Sequence, residues 1–406
     1  MKIAFFTDNF YPEISGITDT LLITGQELVN RGHSVAFVCP RYAESDYKKA
    51  KLSREKDNPR LKDFTIHHMP SVVFPGSATG QSRIAIPIGS TLPFIKRFKP
   101  DIIHTNMPFG AGIDALICAK SFGIPFVGTN HTPIEEFMAY GPVHGPTALR
   151  SAQKYFAWYY NRCQFITAPS AGLLVNMRKF GLKIPSHALA NPVLLNNFSV
   201  PTVNEKESLK KELNLAQDVV LYAGRLSPEK HIDVILRAVK KLRETLPEII
   251  LVITGHGSAE KDLKNLAKEL GVEKNVRFTG FVDIGELAKY YKAADVFSIM
   301  STADTQSIAL MQAYACGLSA VGASSNGLKE YLKSECSFQV EPGDVEALAE
   351  KLGFLLKDKN MAEEMGKAAV KYVSELSPSK IGDEWERIFQ EGIKKYHAGR
   401  KYKPAN

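Results

Sequence analysis

Residues 295–317 read DVFSIMSTADTQSIALMQAYACG. Val296, Phe297, Ile299 and Met300 form a short apolar run of the kind that a strand buried on both faces requires. The next seven residues, 301–307, are mostly Ser, Thr and Asp. Residues 308–316 then return to Ile, Leu, Met, Ala and Tyr, and Gly317 ends them, so this is a helix with its stop signal. A strand whose exit turn opens a helix leaves the amides of residues 307–309 without partners inside the helix. That end suits an anion, with an ordinary capped helix start as the plain alternative.

The same unit recurs in both directions along the chain. Upstream in the second half, VVLYAGRL (219–226), IILVITGHG (249–257) and VRFTGFV (276–282) are strands followed by helical stretches, and LSAVGAS (318–324) is the next one downstream. In the first half the series is KIAFFTD (2–8), SVAFVCP (34–40), DIIHTN (101–106), PFVGTNH (125–131) and QFITAPS (164–170). Strands alternating with helices predict parallel sheets covered on both faces. The polar stretch around 196–205 separates two consecutive α/β units, 1–196 and 197–378. Residues 43–63, charged and turn-rich, read as a surface loop or short excursion. At the C-terminal end Ile381, Trp385, Ile388, Phe389, Ile393 and Tyr396 line one face of an amphipathic helix. In open α/β sheets ligands bind beyond the carboxyl ends of the strands, so two such units predict a cleft bordered by the residues that follow each strand.

With 44% hydrophobic and 23% charged residues in 406, the chain has an ordinary globular composition. No run approaches the ~18 apolar residues of a membrane-spanning helix, and Asp8 interrupts the N-terminal apolar run too early for a signal peptide. Five scattered cysteines without C-x-x-C argue against a zinc site or a disulfide framework. These features predict a cytoplasmic protein. The net charge of +8 belongs wholly to residues 1–196. No acidic residue lies between Glu136 and Glu205, where Arg150, Lys154, Arg162, Arg178, Lys179 and Lys183 are basic. Such a field suits an anionic surface or lipid, or is a solvated face without a partner. A nucleic-acid partner is not expected, because no recognition motif or aromatic-interleaved basic stripe is present.

Several strand exits carry candidate chemistry. Gly16 stands where the first strand turns into a helix, either an ordinary turn glycine or one that lets backbone amides approach a ligand. His131 follows the strand at 125–130. It is either a structural cap or a group that bonds a sugar hydroxyl and takes up a proton near neutral pH. His104 has the same position with a weaker claim. Arg225 and Lys230, on a turn set by Pro228, suit a pyrophosphate, with a surface ion pair to Glu229 as the plain alternative. Gly255 and Gly257 permit close backbone approach, and Phe281 with Val282 could hold a flat base. Asp304 and Gln312 could flank one extended ligand, or be a helix cap and an ordinary helical glutamine.

At these residues the sequence resembles the family-4 retaining glycosyltransferases of the GT-B fold, over nearly its whole length. The resemblance implies two Rossmann-like domains facing a cleft. The first, 1–196 with about 379–406, would bind the acceptor, and a C-terminal helix would return to it. The second, 197–378, would bind the nucleotide-sugar donor. It implies roles residue by residue. Gly16 falls in the glycine-rich first loop, and Arg225 and Lys230 match the pair that holds the donor pyrophosphate. Gly255 and Gly257 match the G-x-G turn, Val282 the base contact, and Ser307 and Ile308 the amides that cradle the distal phosphate. Asp304 and Gln312 fall at the two ends of the E-x7-E element with its spacing of eight. Both depart from it: Asp is one methylene shorter than Glu, and Gln is neutral, though it can still bond a ribose diol.

The resemblance further implies a metal-independent hexosyltransferase without a cofactor, in keeping with the absence of any D-x-D. The Pro12-x-x-Ser15-Gly16 loop, the Asn130-His131-Thr132 element and the basic 150–183 segment look most like the glycolipid-forming members, which modify diacylglycerol or phosphatidylinositol. The expectation is therefore a UDP-hexose donor, glucose above all, and a membrane-lipid acceptor. Lys96, Arg97, Arg150 and Lys154 would meet an anionic membrane at its inner face, with Leu92, Phe94, Ile95 and Phe98 as apolar neighbours of Lys96 and Arg97. The alternatives are a soluble or polyprenyl-linked glycan acceptor, or a catalytically weakened GT-B binding protein.

Overall fold

All ten apolar runs form strands, and they sort into two parallel sheets. The computed structural model describes residues 1–401 apart from 14, 51, 75–81, 132, 136, 137, 139–144, 216, 217 and 326. Thr132, part of the Asn130-His131-Thr132 element, therefore lies outside the described residues. By its contacts the chain divides into two units, residues 1–192 together with those from 378 on, and Val193–Ser377.

The first unit holds β1 (Lys2–Phe6), β2 (Ser34–Pro40), β3 (Thr65–Met69), β4 (Ser71–Val73), β5 (Arg83–Ala85), β6 (Ile102–Thr105), β7 (Phe126–Thr129), β8 (Phe165–Ala168) and β9 (Ser186–Ala188). Seven of them form one sheet in the order β3-β2-β1-β6-β7-β8-β9, every pair parallel. β4 and β5 make a separate antiparallel pair. Apart from the exposed first residues Lys2 and Ser34, the central strands are buried, as a sheet covered on both faces demands. β3 and β9, absent from the sequence reading, lie at the sheet's edges. Edge strands are half exposed, so TIHHM and SHA lack the apolar run that marks a central strand.

Residues 43–63 are more ordered than a surface loop. They hold a helix, Glu44–Ala50, and two single 3₁₀ turns. The reason is Asp46, which is buried and accepts from the Ala43 amide at 2.8 Å and from Arg83 Nε at 2.8 Å.

The C-terminal helix Pro378–Lys401 belongs to this first unit. Its Trp385 and Phe389 stack on each other at 5.3 Å and meet the His104 ring at 4.8 and 5.8 Å, and Phe389 also meets Phe5 at 6.2 Å. Ile381, Trp385, Ile388 and Phe389 are buried, while Ile393 and Tyr396 are only half-buried. Arg31 locks the helix in place, bonding Asp383 at 2.7 Å and Glu386 at 2.9 Å. His104 is thus a packing residue of this seam, its Nε2 2.8 Å from Thr129 Oγ1. Its burial pushes its basicity well down.

The second unit holds β10 (Val219–Ala223), β11 (Ile250–Thr254), β12 (Val276–Gly280), β13 (Val296–Ile299), β14 (Ser319–Ala323) and β15 (Ser337–Val340), ordered β12-β11-β10-β13-β14-β15 and all parallel. The chain runs outward in one direction from β10 and in the other from β13. These neighbours are the topological switch point, where the crevice at the strand ends opens.

Candidate active site

In the second unit the switch point gathers most of the predicted donor residues. Arg225 and Lys230 leave β10, and Asp304 and Ser307 leave β13. Lys230 Nζ lies 2.9 Å from both oxygens of Asp304, with only 15% and 20% of the two side chains exposed. The two residues are thus one element of the site. Arg225 Nη2 donates to Glu229 Oε1 at 2.9 Å, so the anticipated ion pair is present, with the arginine the more exposed partner. Ser307 caps the helix Ile308–Ala315, its Oγ accepting from the Leu310 amide at 3.2 Å. Gln312 sits on that helix, half-buried, and its side chain makes no hydrogen bond among the described residues.

The glycines here are dictated by backbone crowding. A Cβ on Gly255, whose φ is +121°, would stand 2.0 Å from the Gly224 carbonyl oxygen. One on Gly257 would stand 2.0 Å from that of Leu226. Only glycine lets the turns after β10 and β11 pack so closely. Val282 is half-buried, while Phe281 beside it is 70% exposed and is the more prominent apolar group at that turn.

In the first unit Gly16 is the first residue of the helix Gly16–Asn30, capped by Ser15, whose Oγ accepts from the Thr18 amide at 3.1 Å. A Cβ on Gly16 would meet nothing within 4 Å. His131 follows β7, the fifth strand of the sheet in chain order. Its Nε2 lies 3.0 Å from Asn106 Oδ1, a pairing in which the ring nitrogen donates. The expectation that His131 takes up a proton near neutral pH is corrected. It is buried, and desolvation lowers its pKa to about 4. At neutral pH the ring is uncharged.

Two residues at these strand ends were not picked out as functional from the sequence. Asp8, just past β1, is buried and accepts from the Ala85 amide at 2.9 Å and the Ala111 amide at 3.2 Å. Burial pushes its pKa up to about 7, against those hydrogen bonds. Asn106, just past β6, holds His131 and is tied to the Phe6 carbonyl at 3.2 Å. Strand-end position is the signal that could have found both.

Lys96, Arg97, Arg150 and Lys154 are all exposed. The apolar neighbours proposed for Lys96 and Arg97 require correction. Phe94 and Ile95, at 6% and 1% exposure, face the core, because the short helix Leu92–Phe98 must bury one side against the sheet. Among the described residues no helix is long and apolar enough to cross a membrane. No group of three or more His, Cys, Asp or Glu among them could hold a metal ion.

Comparison with known proteins supplies the chemistry. Residues 14–196 match the model of Glycosyltransferase Family 4, and residues 203–372 that of Glycosyl transferases group 1. Among similar proteins are alpha-monoglucosyldiacylglycerol synthases of Streptococcus pneumoniae and Acholeplasma laidlawii. The first is 28% identical over 78% of this chain and 70% of its own, the second 24% identical over 78% and 79%. Anabaena Alr3699/HepE, solved in complex with UDP, superposes with a TM-score of 0.75 at 18% identity, covering 96% of this chain and 100% of its own. That likeness makes the fold GT-B. With two matched models accounting for its two units, the chain belongs to the family-4 glycosyltransferases and is an enzyme of that class.

Proposed function

We propose that this enzyme transfers a hexose, with retention of configuration, from a nucleotide sugar to a hydroxyl of a membrane lipid such as diacylglycerol. UDP-glucose is the first donor to consider. The single observation that carries the donor half is the cluster at the β10–β13 switch point, two cations beside a helix N-terminus. There Arg225, Lys230 and the amides at Ser307 and Ile308 hold the diphosphate and stabilise it as it departs. Asp304 and Gln312 engage the sugar hydroxyls and the ribose diol, Val282 the base, and Gly255 and Gly257 let the backbone approach. Gly16, at the start of its helix in the first unit, leaves room for a sugar to approach the amides there.

The reaction balances without a metal or cofactor. The bond between the anomeric carbon and the diphosphate oxygen breaks, its electron pair staying on that oxygen. The acceptor oxygen bonds the same carbon from the same face, and its proton passes to the departing phosphate oxygen. His131, neutral, orients the acceptor or the sugar and takes no proton.

The lipid acceptor is supported by the names of the Streptococcus and Acholeplasma relatives and by the basic first unit. The enzyme would work at the cytoplasmic face of the membrane, bound peripherally through Lys96, Arg97, Arg150 and Lys154. Burial of Phe94 and Ile95 removes one apolar support for that placement. A soluble or polyprenyl-linked glycan is therefore the competing acceptor. Thermal-shift measurements with UDP, GDP, ADP and their hexose conjugates test the donor, since a ligand of the folded state at a hundredfold excess over Kd stabilises by ~2.7 kcal/mol. No shift with any of them refutes the donor site. Transfer to diacylglycerol in anionic vesicles, against transfer to soluble glycans, decides the acceptor.

A further inference from the structure

The role of Glu229 follows from where its two ends go. Its Oε1 accepts two donors, Arg225 Nη2 at 2.9 Å and Ser227 Oγ at 2.6 Å. Its carbonyl accepts from the Thr302 amide at 3.1 Å, which ties the turn after β10 to the loop after β13. The next residue, Lys230, clasps Asp304 in that same loop. Anchoring one edge of an arginine's planar fork limits the rotamers it can take.

We propose that Glu229 is a positioning residue for donor binding, holding the Arg225 guanidinium in the orientation that receives the diphosphate. The inference rests on the reading of Arg225 and Lys230 as the diphosphate clamp. The negative charge itself works against an anionic ligand, so geometry and charge pull in opposite directions, and two substitutions separate them. Glu229→Gln keeps an acceptor for Ser227 and Arg225 and drops the charge. Glu229→Ala drops both.

The test uses the full chain, with UDP and GDP tried on the wild type and the one that binds carried forward beside its monophosphate. Glu229→Ala is expected to weaken the diphosphate about tenfold, the scale of one charge-assisted hydrogen bond, and the monophosphate several-fold less. Glu229→Gln is expected to bind as tightly as the wild type or tighter. Arg225→Ala sets the ceiling of the loss. The thermal midpoints of both Glu229 variants should match the wild type. Diphosphate affinity unchanged in Glu229→Ala, a loss falling equally on diphosphate and monophosphate, or failure of Gln to rescue overturns the inference. Binding of neither diphosphate, or binding that Arg225→Ala leaves intact, takes down the clamp and the inference together. Loss in Arg225→Ala without loss in Glu229→Ala removes the inference alone.

Discussion

Replacing Gly16 by alanine separates packing from ligand contact. The added methyl would meet nothing within 4 Å, and it lies at the first position of a fifteen-residue helix. Alanine outranks glycine in helices by ~0.5–1 kcal/mol, so the folded protein should be as stable as the wild type or slightly more so. If the amides at this helix end meet donor or acceptor directly, the same methyl stands in the ligand's place. Losing one hydrogen bond between an amide and a charged or partly charged group costs ~1.5–3 kcal/mol, about tenfold to a hundredfold in kcat/KM. The matched control is Gly257→Ala, whose methyl would fall 2.0 Å from the Leu226 carbonyl oxygen and 2.5 Å from its carbon. Backbone there must move by about an ångström, which should cost ~3 kcal/mol or more, at the upper end of overpacking penalties. Thermal unfolding and transfer kinetics on the two variants read both quantities. A fully active Gly16→Ala enzyme would refute the close approach at the first loop. A Gly257→Ala protein with a wild-type midpoint would refute the crowding argument.

Lys230→Ala should lower kcat/KM by about 10²–10³-fold, the scale of one lost charge-stabilising group, and Asp304→Asn should show whether a freed Lys230 still works. His131 has its pKa lowered to about 4 from 6.5, so between those values the unfolded chain binds more protons than the folded one. Its contribution to stability is complete above pH 6.5 and is lost as pH falls through 4, by at most ~3 kcal/mol, and denaturant titrations of His131→Gln should show a flatter profile there. For the same reason the pH–rate profile should carry no inflection from His131 near 6.5. Asp8 works in the opposite sense: raised to about 7, it stabilises fully below pH 4 and loses that contribution as pH rises through 7, a slope that Asp8→Asn should abolish. Trp385→Ala, emptying the seam against His104 and Phe389, should cost ~3–5 kcal/mol by denaturant unfolding of the first unit.

What the sequence displayed and what it hid divide along physical lines. Central strands such as Phe5, Val220 and Phe297 sit in are buried on both faces, so composition alone announces them. Edge strands such as TIHHM at 65–69 carry no such signature, since half of each faces water. The place of Arg225, Lys230 and Asp304 at strand exits was readable, because the apolar runs before them mark β10 and β13. The pairing of Lys230 with Asp304 was not readable, for the two lie 74 positions apart and meet only when β10 and β13 become neighbours. Phe94 and Ile95 were misjudged because a seven-residue helix has too few turns for its apolar side to be told from its exposed one. His131 misled for a different reason: a histidine's basicity depends on burial, which no single residue's identity reveals.

The helix Pro378–Lys401 covers the first sheet but follows the whole second unit in the order of synthesis. A ribosome therefore makes residues 2–192 and then Val193–Ser377 before the side chains that cover Phe5 and His104 exist. At ~5–20 residues per second that gap lasts roughly 10–40 s. During it the second unit, contiguous in sequence, can complete its core, while the first holds an open apolar seam. A helix made after the second unit is thus the one that closes the core of the first, and a nascent chain halted before it presents that seam to whatever waits at the tunnel exit.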